Sequence, residues 1–252
     1  MDASIHGEYT SNAALWRWMA EYAQKNGLRM HVHASETVSE HEASITRNGK
    51  TPLQTLNEYG VWENGGIAAH CVYTTPEDWE LMVKKDITAV HNPWSNLKLG
   101  SGVAPVPAMK KAGVNVALGS DGMSSHNCAD LFSDMKLCAC LHGGVARDPM
   151  AMGAWDALEM ATVNGARALG RYDTGRVEAG CVADLILVDF TAPNLTPCHD
   201  VAENLVYAGQ PHNVCMNMAR GRVIYENGVY HTLDLERVRA EVAGYALPKI
   251  FG

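Results

Sequence analysis

Four short apolar runs, each closing on a side chain able to bind a metal, constrain this chain more than any other feature. They are LRMHVH (28–33), GIAAHC (66–71), ITAVH (87–91) and VNVALGSD (114–121), and they bring His33, His70, His91 and Asp121 to successive strand ends. Helical patterns separate them. AALWRWMAEYAQKN (13–26) repeats apolar residues near a 3.6 period and stops at Gly27, and residues 51–59 read as a short helix ending at Gly60. TPEDWELMVKK (75–85) offers Thr75 as a cap, Pro76 at the first helical position, and Glu77 and Asp78 at the positive end of the dipole. Further helices are expected over 104–112, 129–143 and 151–169. Such a β–α–β–α series makes a parallel sheet with helical cover. Ligands of α/β sheets and (β/α) barrels bind beyond the carboxyl ends of the strands. One histidine at a strand end is most often structural; four such ends in succession point to a shared site.

The texture changes near residue 174. GRVEAGCVADLILVDF (175–190) has turn glycines followed by an apolar strand, and NLVYAG, NVCMNMARGRVIYENGVY and HTLD follow. Ala219-Arg220-Gly221-Arg222 and Glu226-Asn227-Gly228 read as hairpin turns. Residues 174–252 are therefore expected to form a small antiparallel β unit closed by a helix over 233–244, behind a barrel-type part over 1–173.

Composition narrows the function classes. With 20 basic against 28 acidic residues and a formal net charge of −8, the chain lacks the basic surface that non-specific binding to nucleic acid or an anionic membrane needs. MDASIHGEYTSN has neither the basic nor the apolar region of a signal peptide, and no apolar run is long enough to span a membrane. Seven scattered cysteines without a CxxC pair suit reduced thiols, each most simply a small buried hydrophobe, in a cytoplasmic protein.

Within HVHASET (31–37), His31 and His33 share one face of the strand and could chelate a metal together, and Glu36 lies just past the strand end. HNPWSNLKLGSG (91–102) is a polar, turn-rich loop of the kind that builds substrate pockets, although Ser95 and Lys98 alone would read as solvated. In GSDG (119–122) small neighbours let Asp121 approach a metal or its water closely.

HVHASET, AAHCVYTTPED (68–78), HNPWSNLKLGSGVAPV (91–106), LGSDG (118–122) and GRVEAGCVADLILVD (175–189) together resemble the amidohydrolase superfamily. Within it they look most like the S-adenosylhomocysteine/methylthioadenosine deaminase and chlorohydrolase-like branch. The resemblance implies an α/β fold, the C-terminal part of a (β/α)8 TIM-like barrel (strands five to eight) followed by part of a small β-sandwich. His33 matches a metal ligand and Asp121 a metal ligand and general base. Glu36 matches the carboxylate that carries protons to the leaving group. His70 matches the histidine that holds the attacking hydroxide or the substrate. His6 looks like a substrate contact on the loop after the fourth strand; with Glu36, His91 and Asn96 it completes the candidate substrate-binding set. The implied cofactor is a divalent metal, Zn first and Fe or Mn as alternatives. The implied reaction is hydrolytic deamination of an aminopurine nucleoside or related heterocycle, with a dechlorinating hydrolase, an inactive subunit or a binding protein as other readings.

The family's first-strand HxH is missing, so either barrel strands one to four come from a partner chain, or two copies associate, or the chain is a truncated one. Four strands would leave the inward faces carrying Ile67, Ala68, Val114, Val116 and Leu118 open to water. A homo-oligomer or a complex is therefore expected.

Overall fold

The computed structural model describes all 252 residues. Its main sheet holds five parallel strands in chain order: β1 (Ala3–Gly7), β2 (Met30–Ala34), β3 (Gly66–His70), β4 (Ile87–His91) and β5 (Val116–Leu118). Register runs Met30 opposite Gly66 through Ala34 opposite His70, and then Ala89 opposite Val116. Each strand pairs with the next without reversal, as in a barrel wall rather than a doubly wound sheet.

One strand was not expected. ASIHG forms β1, so His6 lies within a strand and not on the loop after it. With one branched apolar residue in five, the segment carries almost no strand signal of its own. Ala3 and Ile5 alternate into the core, and the backbone pairs with β2.

Helices cross between the strands where the caps put them. The first, α1 (Ala13–Asn26), starts on Asn12, whose side-chain oxygen accepts the Ala14 and Leu15 N–H groups, and stops where Gly27 takes φ 63°. The next two are α2 (Val38–Asn48) and α3 (Pro52–Glu58). In α4 (Pro76–Lys84) Thr75 and Asp78 cap one another reciprocally. Asp78 is fully buried because its carboxylate also accepts from Thr51 (2.6 Å) and Gln54 (3.0 Å). We expect Asp78→Ala to cost about 3 kcal/mol and Thr75→Ala about 1 kcal/mol, read as shifts of the urea midpoint. Equal costs would show that the buried carboxylate does no more than cap α4.

The segment after β4, expected as a loop, contains a helical turn, α5 (Pro93–Lys98). Then come α6 (Val106–Lys111), α7 (Met123–His126) and α8 (Leu131–Ala146). The single helix expected over 151–169 is two, α9 (Ala154–Ala161) and α10 (Val163–Ala168), broken at Thr162. The break lets Asn164 donate to the Val116 carbonyl while Asn115 donates to that of Asn164, fastening α10 to β5.

The core between sheet and helices is built of small residues and methionines, with Met30, Met82, Met109, Trp62 and Leu56 buried. The five residues expected to meet water do not. Ile67, Ala68, Val114, Val116 and Leu118 are all buried. Ala68, Val114, Val116 and Leu118 join the main core, while Ile67 packs with Ala117 and with Ala168 of α10. The α9–α10 segment folds back over the strands, which the sequence pattern did not reveal.

A second, antiparallel sheet comprises β6 (Leu185–Val188), β7 (Val214–Ala219), β8 (Arg222–Glu226) and β9 (Val229–Tyr230). Both expected hairpins are present. Arg220-Gly221 and Asn227-Gly228 take positive φ at both positions, as tight two-residue turns require. NLVYAG is not a strand but the end of α11 (Val201–Tyr207), whose Ala202 and Val206, four residues apart, are buried. The last helix, α12 (Leu235–Glu241), runs on through a wider turn to Phe251 and buries no residue. All seven cysteines are free, and no helix is long and apolar enough to cross a membrane.

Candidate active site

The carboxyl ends of β2, β3 and β5 bring three donors together. One ligand atom each from His33, His70 and Asp121 lies within 4.8 Å of the other two. His33 Nδ1 stands 2.8 Å from the His6 carbonyl oxygen. A carbonyl only accepts, so Nδ1 carries the proton and Nε2 keeps the lone pair that a metal needs. His70, buried at the end of β3, has Nδ1 2.8 Å from Asn96 Oδ1, and its Nε2 is 3.7 Å from Glu36 Oε2.

Asp121 accepts from the Ser95 hydroxyl and from the Gly122 N–H, both at 2.6 Å. Burial pushes its carboxyl up, but these hydrogen bonds and the nearby His70 outweigh it and hold the pKa below the usual carboxylate value. An ionised carboxylate beside imidazole nitrogens is a donor set that fits a divalent ion such as Zn²⁺. Two residues earlier, Gly119 leaves room for Asn92: a Cβ there would stand 2.5 Å from Asn92 Oδ1 and would force that side chain to shift.

Strain concentrates at these strand ends. Ser35, His70, Cys71 and Asp121 all take φ between 51° and 73°, sparsely populated for residues with a Cβ. Glu40, buried at the start of α2, holds the first turn in place. Its carboxylate accepts the N–H groups of Ser35 (2.9 Å) and Glu36 (2.7 Å). Glu36 then points inward, with Oε1 3.2 Å from the Ser101 hydroxyl.

Of the residues singled out from sequence, His33, His70 and Asp121 converge, with Glu36 beside them. His6 packs its ring 4.8 Å from that of His33. His31 shares the strand face of His33, their ring centroids 6.5 Å apart, but lies outside the donor cluster. Asn96 is fully buried and faces His70. His91 is also buried and turns away, with Nε2 3.3 Å from Nε2 of His142 on α8.

Sequence reasoning did not single out Glu40 or Ser101, used Asn92 only as a turn former, and left Ser95 open between a pocket residue and a solvated one. Thr37-x-x-Glu40 is a capping-box pattern. Asn92, Ser95 and Asn96 are spaced three and four apart, which on a helical turn puts them on one face. Either signal was available.

Burial, and then the neighbouring His142, hold the His91 pKa down at about 3, and burial holds that of His142 at about 4. The unfolded chain titrates these rings near 6.5, so on acidification it takes up protons that the folded chain refuses. For the chelator-treated chain, stability should be full above pH ~6.5 and fall by about 1.4 kcal/mol per pH unit per imidazole toward pH ~4. Urea unfolding at a series of pH values checks this; a flat profile would contradict it.

The amidohydrolase family model matches residues 2–224. The chain belongs to the amidohydrolase family. It is similar to the 5-methylthioadenosine/S-adenosylhomocysteine deaminase of Caldanaerobacter subterraneus subsp. tengcongensis, with 41% identity over 94% of this chain and 55% of that protein. It is also similar to the 5'-deoxyadenosine deaminase of Methanosarcina acetivorans, with 40% identity over 94% of this chain and 54% of that one. Among solved structures, a zinc-bound adenosine deaminase from Xanthomonas campestris superposes with a TM-score of 0.91 at 34% identity, covering 96% of this chain and 56% of that one. The chain spans about half the length of the curated relatives it matches.

Proposed function

We propose that this chain is the C-terminal portion of a metal-dependent deaminase acting on an adenosine-like nucleoside. In this reading residues 1–173 form five of the eight barrel strands with their helices, and residues 174–252 form part of the accompanying β-sandwich. The observation that carries the reading is the convergence of His33, His70 and Asp121 beside Glu36. The names of the relatives support the substrate class.

His33 through Nε2 and Asp121 through a carboxylate oxygen would hold the ion, Zn²⁺ by preference. A bound ion of this kind makes hydroxide available at neutral pH, lowering the pKa of water from about 15.7 to about 7. Asp121 receives the proton of the attacking water. Glu36, protonated at the start, gives its proton to the ring nitrogen next to the amino-bearing carbon; it then takes the hydroxyl proton of the adduct as the carbonyl forms and hands it to the departing ammonia, and the proton that Asp121 received restores Glu36 for the next turnover. His70, steadied by Asn96, holds the charge that develops on the attacking oxygen. The remaining three barrel strands, with the family's HxH, come from further polypeptide.

Metal titration with variants tests the site. His33→Ala and Asp121→Ala should each abolish binding of one Zn²⁺ per chain, while His31→Ala leaves it in place. Loss of that ion in His31→Ala with retention in Asp121→Ala would transfer the site to the His31–His33 pair.

A further inference from the structure

The end of β4 and the middle of α8 meet at a second group of donors that the reaction above does not use. His91, Cys138 and His142 each place one ligand atom within 4.8 Å of the other two, and all three residues are at most 3% exposed. Cys138 and His142 are four residues apart on α8, which puts both on one face, and His91 meets them from the sheet.

The geometry between the rings is informative. The two Nε2 atoms are 3.3 Å apart. Nitrogens bound at about 2.0–2.1 Å to one tetrahedral ion stand about 3.3–3.4 Å from each other. The pair thus already has the edge length of a metal site. Two imidazoles and a thiol in a closed interior are costly as mere packing; apolar residues of similar size would cost less.

We propose that His91, Cys138 and His142 form a second metal site, closed to substrate, that takes a borderline divalent ion such as Zn²⁺ or Co²⁺. Two imidazole nitrogens and a thiolate select that class over Mg²⁺ or Ca²⁺, which prefer oxygen. Binding forms a metal–sulfur bond, releases the Cys138 proton to solvent and changes no oxidation state. The ion ties β4 to α8. Because β4 runs straight into Asn92, Ser95 and Asn96, it braces the segment that holds His70 and Asp121. It is a structural clamp rather than a centre of chemistry.

Cobalt titration of the 252-residue chain tests this, since only a sulfur-bound ion gives a near-ultraviolet thiolate-to-cobalt charge-transfer band. The His33–His70–Asp121 cluster has no sulfur, so the signal is independent of the proposed active site. The band should saturate at one equivalent, vanish in Cys138→Ala and Cys138→Ser, and weaken in His142→Asn. It should persist in Asp121→Ala and in Cys140→Ala, which removes an exposed thiol of the same helix. Circular dichroism of each variant separates loss of the ion from loss of the fold. No band in the parent chain, or a band that survives in folded Cys138→Ala, overturns the proposal.

Discussion

Under the proposed function, with the remaining barrel strands supplied, Glu36→Gln is expected to lower kcat by about 100-fold or more while leaving zinc content and fold unchanged. The substitution is nearly isosteric. Gln keeps an oxygen to accept the Ser101 hydroxyl now 3.2 Å away, and the turn that carries residue 36 is held by Glu40 through backbone N–H groups rather than by the Glu36 side chain. What Gln cannot do is gain and lose a proton. If Glu36 carries protons to the ring and the leaving group, the loss falls on kcat, with KM changed little. Ser101→Ala should cost far less, because it alters the orientation of the carboxylate and not its chemistry. Turnover within a few-fold of the parent in Glu36→Gln would remove Glu36 from the mechanism.

The second large effect concerns mass. Expressed alone at micromolar concentration, the 27.3 kDa chain is expected to sediment as a dimer or larger species, or to bind tightly to a chain carrying the other barrel strands. The strand residues Ile67, Ala68, Val114, Val116 and Leu118 are covered within the chain, and what stays unpartnered lies at the sheet edges and on outer helix surfaces. β1 and β5 each pair on one side only, leaving two unpaired sheet edges. The C-terminal helix displays Val242, Tyr245, Leu247, Ile250 and Phe251 with no burial among them, and Leu15, Trp18 and Tyr22 crowd the outer surface of α1. Covering several hundred Å² of such surface at about 25 cal/mol per Å² is worth several kcal/mol, comparable with the whole stability of many domains. Analytical ultracentrifugation measures this directly. A compact, stable monomer of 27.3 kDa would refute it.

Much of the site was legible because its residues sit where periodicity is strong. ITAVH and GIAAH end abruptly at polar residues, and the caps around Thr75 and Gly27 fix where helices begin and stop. What escaped notice depends on tertiary contact. ASIHG becomes a strand only because β2 pairs with it, and the break at Thr162 exists to let Asn164 reach β5. NLVYAG, rich in residues suited to either state, turns helical because Asp200 caps it and Val206 needs the core. Ser95 stayed open between pocket and solvent until Asp121 was placed beside it. Cys138 and His142 carried a spacing signal, but their partner His91 is far away in the chain and only the fold supplies it.

The strand order has a kinetic consequence. Every parallel pairing in the main sheet joins segments roughly 20 to 40 residues apart along the chain, so loop closure is inexpensive at each step. Such a sheet can assemble by addition, one crossover at a time, without waiting for distant strands to arrive. A wall of five strands can therefore take shape in the order in which it is synthesised, each strand closing on the one before it.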